Sequence, residues 1–350
     1  MAAENRLRVL QLGLGARGRM WSRVVRASPL AAPAGYVDPR PEARAWAEEH
    51  CEPGIPVFAD ADTALPAVEA DVAVVVTPPV DRVELIEALT SHGLHVLAEK
   101  PLALTMADAL AVVRAAERAD RMLGVVQNFR YLPATQRLRE RVQGRPYGAP
   151  TYATVTYLRN RDGYAPRLNK YPLVMDQPML IEQSIHHLDL LRYVFDVEAE
   201  TVSCLTWNPP GSQYRDDACA AALIRFTGGL IAVYEGTWVS GHEALAFQWR
   251  TDFERGVVIQ RDLFGDLVEG TIDEKEFRPI PLPQIEPFAT DSAALLDDFL
   301  TAVQVRRPFA SNGRDHLKTL ALTLACVESS QTGRQVSLPD FARRHDLDLR

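Results

Sequence analysis

The join at residues 7–18, LRVLQL followed by GLGARG, constrains this chain more than any other stretch. The apolar run predicts a short strand buried on both faces, as in a parallel sheet. Gly13, Gly15 and Gly18 follow in G-x-G-x-x-G spacing, and a helix-like segment begins with Met20, Trp21, Val24 and Val25 toward one side. Strand, glycine turn and helix let backbone N–H groups approach a pyrophosphate at a helix N-terminus. Alone, the same pattern also fits a glycine-rich turn that holds nothing. Gly35-Tyr36-Val37-Asp38 ends a second predicted strand, with Asp38 20 residues beyond Gly18. An acidic side chain there accepts hydrogen bonds from ribose hydroxyls and repels a 2′-phosphate, so a bound dinucleotide, NAD, is expected. Arg40 keeps NADP open, because a nearby guanidinium can hold that phosphate.

The rhythm continues through the first third of the chain. Helix is expected at Pro41–His50, strand at 71–77 (DVAVVVT), helix at 81–92 and strand at 95–98. Thr105 is placed to cap a helix running to about Ala119, with Asp108 at the capping-box position. Another strand follows at 123–127. Alternating strands and helices predict a doubly wound parallel sheet, whose ligands bind at the carboxyl ends of the strands. Lys100 stands at such an end, fixed by Pro101; the plainer reading is a surface lysine.

After Asn128-Phe-Arg-Tyr131 the pattern changes, and a second domain is expected. The boundaries read as 1–130 for the dinucleotide-binding domain and 131–350 for an α+β domain with an open, mostly antiparallel sheet, its final helices packing back toward the first. A helix at 133–142 and a strand at 151–157 precede a long polar loop, 159–178, of the kind that often serves as a lid or binding loop. From Thr201 to about Ile280 the chain is strand-rich. Its clearest hairpin pairs 218–226 with 230–239 through Thr227-Gly-Gly229, and the first of these strands is apolar on both faces. One face can pack on helices; the other calls for a sister subunit, so a homodimer or homotetramer through this sheet is expected. Two helices, at 290–306 and 313–330, a strand-like QVSL and a polar tail complete the chain.

Composition narrows the function. The chain has 350 residues, with 47% hydrophobic and 24% charged, ordinary for a soluble globular protein. A formal net charge of −8, with no Lys/Arg block, argues against nucleic acid as a partner. The four cysteines show no metal or disulfide spacing, no apolar run approaches the roughly 18 residues of a membrane span, and no signal peptide is evident. A cytoplasmic protein is expected.

The stretch 182–195, EQSIHHLDLLRYVF, reads as a largely buried helix. At about 100° per residue Glu182, His186 and Asp189 form one stripe. A buried carboxylate–imidazole–carboxylate stripe needs partners or a purpose. It is either an acid–base site or a solvated stripe on a half-exposed helix. A metal could bind the three, although no HExxH or second histidine cluster supports one, and no metal is expected. His187 points about 100° away and reads as structural.

Four motifs now stand in order: GLGARG, Val37-Asp38, Glu99-Lys100-Pro101 and E-x3-H-x2-D at 182–189. Together with the closing helix and TGRQVSL, this set resembles the glucose–fructose oxidoreductase/inositol dehydrogenase (Gfo/Idh/MocA) family over nearly the whole chain. The resemblance implies a Rossmann domain joined to an α/β domain, and hydride transfer between NAD(P) and a secondary alcohol or ketone of a sugar or cyclitol. By position, Lys100 matches the family's catalytic lysine and His186 the histidine that exchanges the substrate hydroxyl proton. Glu182 stands where aspartate is usual, and Asp189 matches a substrate-binding aspartate. Gly13, Gly15, Ala16, Arg17, Gly18, Asp38, Arg40, Thr77, Pro78, Glu99, Lys100 and Asn128 form the expected cofactor set. The usual T-P-N/P-x-x-H turn reads Thr77-Pro-Pro-Val-Asp-Arg82 and lacks its histidine. Arg159, Asn160, Arg161, Tyr171 and Trp238 are further substrate candidates, each also readable as a surface or packing residue. A redox-neutral, NAD-dependent glycoside hydrolase and a non-catalytic sugar or dinucleotide sensor are the alternatives.

Overall fold

A computed structural model describes residues 6–161 and 170–348. It divides into two compact units. One comprises residues up to Asn128 with Glu286–Leu317; the other comprises Phe129–Ile285 with the chain from Lys318 onward.

In the first unit the elements run β1 (Leu7–Leu12), α1 (Ala16–Ala27), β2 (Ala31–Val37), α2 (Pro41–His50), β3 (Val57–Phe58), α3 (Ala61–Ala64), β4 (Val72–Val75), α4 (Arg82–Ser91), β5 (His95–Glu99), α5 (Met106–Arg118) and β6 (Leu123–Val126). The six strands form one parallel sheet in the order β3-β2-β1-β4-β5-β6. That is the doubly wound order, with its topological switch between β1 and β4. Every residue of β4 and β6 is buried, as strands covered on both faces must be. Thr105 caps α5 as its sequence requires, accepting from the Asp108 N–H at 3.1 Å.

The second unit contains α6 (Pro133–Gly144), β7 (Pro150–Leu158), α7 (Tyr171–Val174), a π-helical turn (Met179–Ser184), α8 (Ile185–Phe195), β8 (Ala199–Trp207), β9 (Cys219–Phe226), β10 (Ile231–Thr237), β11 (Ala246–Phe253), β12 (Gly256–Asp262), β13 (Gly265–Thr271) and β14 (Arg278–Ile280). The chain closes with α9 (Thr290–Val305), which belongs to the first unit, then α10 (Gly313–Thr332), β15 (Val336–Ser337) and α11 (Leu338–Arg344). The tail expected to be merely polar is in part this last helix, capped by Ser337. Nine strands form a sheet in the order β14-β13-β12-β11-β7-β10-β9-β8-β15, antiparallel except for the central β7–β10 pair. Of the long loop expected at 159–178, residues 162–169 lie outside the described residues; the rest includes α7 and an Asn160–Val239 bridge.

Alternation sorts this sheet's faces. Ala220, Ala222, Ile224, Ala232 and Tyr234 are buried on one side. On the other, Leu205 and Leu223 are 63% and 50% exposed, and Tyr152 and Trp207 are also open. Among the described residues, no helix is long and apolar enough to cross a membrane.

One expectation needs correction. Glu182 does not stand on a regular α-helix: residues 179–184 form a π turn, and α8 begins only at Ile185. A π turn holds an extra residue, so the uniform 100° projection does not apply there. The solvated-stripe reading also fails, because every residue of α8 except Tyr193 is buried.

Candidate active site

In the first unit, the carboxyl edge of the sheet gathers the glycine loop, Asp38, Thr77, Glu99 and Lys100. Gly13 adopts φ +101°, and a Cβ there would meet the Val76 carbonyl group at 2.8 Å. A Cβ on Gly18 would lie 2.1 Å from the Gly13 carbonyl oxygen, so glycine at both positions is a steric requirement. No side chain caps the N-terminus of α1. Its N–H groups remain suited to an anion. Exposed Ala16 and half-buried Arg17 open this helix.

Asp38 closes the cradle at the end of β2. Its carboxylate accepts from the Leu14 N–H at 2.7 Å and from Arg40 Nε and Nη2, both at 2.9 Å. Burial pushes this carboxyl up, but the donors of Arg40 and Leu14 outweigh burial and hold it below its ordinary value. An ionised acceptor here fits the ribose hydroxyls of a dinucleotide. The Thr77 hydroxyl, beyond the end of β4 and ahead of exposed Pro78, is buried with no hydrogen-bond partner among the described residues. Glycine loop, acid and orphan hydroxyl together fit the dinucleotide.

Glu99 ends β5 and Lys100 follows it. Glu99 Oε1 accepts from Arg17 Nε at 2.6 Å and Trp21 Nε1 at 2.8 Å. Burial works to raise this carboxyl; Arg17, Trp21 and Lys100 overcome it and leave the group below its usual value. Arg82, where a histidine was expected, is 2% exposed. Its guanidinium donates to the carbonyls of Glu99 and Pro101, on either side of Lys100, and to that of Thr77. His316 Nε2 accepts from the Leu102 N–H at 3.2 Å, bracing the same turn. Asn128, expected at the cofactor, is 1% exposed with its amide nitrogen on Asp291. It is a buried joint within the unit.

In the second unit the centre is His186, 7% exposed and stacked on Phe129 at 4.4 Å between ring centroids. Half-buried Glu182 stands one turn earlier on the π segment. The expected role of Asp189 is corrected. It is 1% exposed, and its oxygens accept from Arg130 Nε and Nη2 at 2.7 and 2.6 Å and from the Thr319 hydroxyl at 2.8 Å. Arg192 continues the network by donating to Thr319 and to both oxygens of Glu198. A carboxylate so engaged holds α8 to its surroundings and is not presented to a substrate.

The π turn has its own fastening. Ser184 Oγ donates to the Met179 carbonyl five residues back at 2.9 Å, and Tyr234 OH donates to Ser184 Oγ at 2.8 Å. Tyr234 therefore accepts from His187 Nδ1 at 3.1 Å, which places the proton of His187 on Nδ1. His187 is wholly buried among Tyr157, Tyr234 and Phe247, and burial pushes its pKa down to about 3. Sequence alone did not reveal Arg82, Phe129, Arg130 or Tyr234. The missing histidine of the 77–82 turn was the one local signal, and it pointed to Arg82.

Trp238 follows β10 and is 1% exposed; Arg159 and Arg161 run beside it, with the Arg161 N–H on the Trp238 carbonyl at 2.7 Å. Asn160 Nδ2 donates to the Ser240 carbonyl at 2.7 Å, and half-buried Tyr171 opens α7. Among the described residues, no group of three or more His, Cys, Asp or Glu side chains is arranged to hold a metal ion.

A parallel six-stranded sheet with this cradle defines a dinucleotide-binding domain of the Rossmann class. The chain belongs to the Gfo/Idh/MocA family: residues 7–127 match its oxidoreductase domain, with NAD-binding Rossmann fold, and residues 135–258 its C-terminal domain. It is thus an NAD-binding oxidoreductase of a sugar- and cyclitol-type family. Among relatives, the D-apiose dehydrogenase of Paraburkholderia graminis is 27% identical over 304 residues, 81% of this chain and 76% of that one. The myo-inositol 2-dehydrogenase of Thermotoga maritima is 26% identical over 267 residues, covering 73% and 76%. An Agrobacterium radiobacter oxidoreductase, solved with NAD+, L-tartaric acid and magnesium, shares the fold with a TM-score of 0.86 at 19% identity, covering 96% of this chain and 99% of that one.

Proposed function

We propose that this chain transfers a hydride between a nicotinamide dinucleotide, NAD in preference to NADP, and a secondary alcohol or ketone of a sugar, sugar derivative or cyclitol. The observation that carries this reading is Lys100, held from both sides by Arg82 at the edge of a sheet that bears a dinucleotide cradle. The D-apiose and inositol dehydrogenases among the relatives support the substrate class. The nicotinamide, when bound, supplies the hydride acceptor or donor. His186 takes the hydroxyl proton during oxidation, a task an imidazole performs as general base. Lys100 donates a hydrogen bond to the developing oxyanion. Glu182 orients the imidazole or a neighbouring hydroxyl, and Arg159, Asn160, Arg161, Tyr171 and Trp238 bind the substrate body. Asp38 selects against a 2′-phosphate. The bare face with Leu205 and Leu223 packs against a second copy, giving a homodimer or homotetramer in the cytoplasm.

The test is NADH absorbance with NAD and, separately, NADP against pyranoses, inositols, sugar acids and glycosides. His186→Ala and Lys100→Met each lower turnover by roughly 100-fold or more while NADH affinity is kept. Full activity in both variants ends the assignment. Aglycone release without net NADH would point to hydrolysis instead. A clean monomer in sedimentation at micromolar protein would remove the oligomer.

A further inference from the structure

We propose that the substrate carries an anionic oxygen group, a carboxylate or a phosphate, and that Arg159 and Trp238 recognise it. This deepens the reading above and rests on its placement of substrate in the second unit. The observation is a set of buried donors without acceptors. Trp238 is 1% exposed, and among the described residues its indole N–H has no hydrogen-bond partner. The Nε of Arg159 is buried and equally unpartnered. A buried donor left without an acceptor is destabilising, so two in neighbouring positions call for an incoming acceptor.

Register brings the two together. β7 and β10 run parallel, with Tyr157 opposite Gly236 and Leu158 opposite Thr237. The Arg159 N–H then bonds to the Thr237 carbonyl at 3.0 Å. Arg159 and Trp238 are the first residues beyond β7 and β10; alternation carried one residue past each strand end sets Arg159 with Tyr157, and Trp238 with Tyr234 and Gly236, on the face that packs under the helices. A Cβ on Gly236 would meet the Met179 side chain at 2.3 Å, so the π turn bearing Glu182 rests on that glycine. Trp238 lies one pleat farther along, about 7 Å. The donors therefore sit beside the turn that leads into His186.

Charge decides the class of acceptor. In a chain of formal net charge −8, neither Arg159 nor Arg161 has an ion-pair partner among the described residues. Arg161 lies over the Trp238 ring at 4.7 Å instead, and the Tyr214 hydroxyl donates to its carbonyl oxygen. An indole N–H and guanidinium N–H groups are donors only. A neutral hydroxyl brings a donor of its own that they cannot satisfy. A carboxylate or phosphate brings acceptors alone, and a guanidinium meets either in a two-pronged fit.

The full-length protein loaded with NAD is tested with glucose and galactose against their uronates, aldonates and phosphates. Binding is read by tryptophan emission and thermal stabilisation, and turnover by NADH formation. At least one charged form is expected to bind roughly tenfold or more tighter than its neutral parent, and whichever does names the group. Added salt erodes that preference. Arg159→Gln abolishes it, Trp238→Phe weakens it, and Arg159→Lys keeps part of it, with NADH affinity and circular dichroism unchanged in all three. Equal or better binding of the neutral sugars, no binding of any charged form, or a preference that survives Arg159→Gln overturns the proposal. Charged forms that bind without any NADH appearing would sink the redox reading and leave this one standing. NADH formed from neutral sugars alone would do the reverse.

Discussion

The dinucleotide cradle and the His186 helix are built in opposite ways. The cradle is mostly backbone: a tight turn at Gly13, a close approach at Gly18, an uncapped helix start and one carboxylate, all between residues 13 and 38. The His186 helix is held by side chains from distant parts of the chain. Arg130 lies 59 positions from Asp189 and Thr319 130 positions from it, and Tyr234 reaches back 50 positions to Ser184. A site made of local backbone shows itself as a motif. A site made of remote side chains shows only its own end of each contact.

That difference can be broken at either end. The largest effect is expected in the second unit. Asp189→Leu removes the carboxylate paired with buried Arg130 and should cost roughly 3–5 kcal/mol in urea unfolding. Adding Arg130→Met should recover much of the loss, and NADH affinity under native conditions should hold. If Asp189→Leu is neutral, the carboxylate is not the anchor described. In the first unit, Gly18→Ala forces a Cβ against the Gly13 carbonyl. A cost of about 1–3 kcal/mol should appear as weaker NADH binding by fluorescence titration. Unchanged affinity would show that the turn has slack.

A third test uses protons. Folded His187 stays neutral down to about pH 3, against an ordinary value of 6.5. The unfolded chain takes up the proton first, so this group leaves stability untouched above pH 6.5 and erodes it as pH falls toward 3. The slope is at most about 1.4 kcal/mol per pH unit. His187→Phe should flatten the stability profile across that window; a variant profile parallel to the wild type would contradict the burial argument. The smallest change is Tyr234→Phe, which removes the hydroxyl between His187 and Ser184. A loss of about 1 kcal/mol is expected. If the π turn matters to the chemistry, turnover should fall by more than stability does, and the loss should shrink in a Glu182→Gln background.

Much of the fold was legible in advance. LRVLQL and DVAVVVT read as buried strands, and strands run over Leu7–Leu12 and Val72–Val75; Thr105 and Asp108 announced a helix start, and Thr227-Gly-Gly229 announced a hairpin. The placement of the candidate site was legible where it is local: the glycine loop, Asp38 and Lys100 each directly follow a strand, as expected. It was misread where a regular helix was assumed. A π turn leaves no mark in a pattern of apolar residues, and one of its fastenings is a hydroxyl on β10, 50 positions away. Asp189 carried the same ambiguity: a carboxylate on a buried face looks alike whether it awaits a ligand or already faces an arginine.

The sequence by itself determined the parallel sheet, the glycine turn of the dinucleotide cradle with Asp38 at the end of its second strand, and the candidacy of Lys100 and His186. Each follows from side-chain period or from steric rules acting within a few residues. Only the tertiary structure decided that Arg82 clamps the lysine turn, that Asp189 is taken by Arg130, and that Trp238 and Arg159 keep buried donors unmet. Those outcomes depend on which distant groups fold into contact, and a buried polar atom is satisfied or left wanting only once its neighbours are in place.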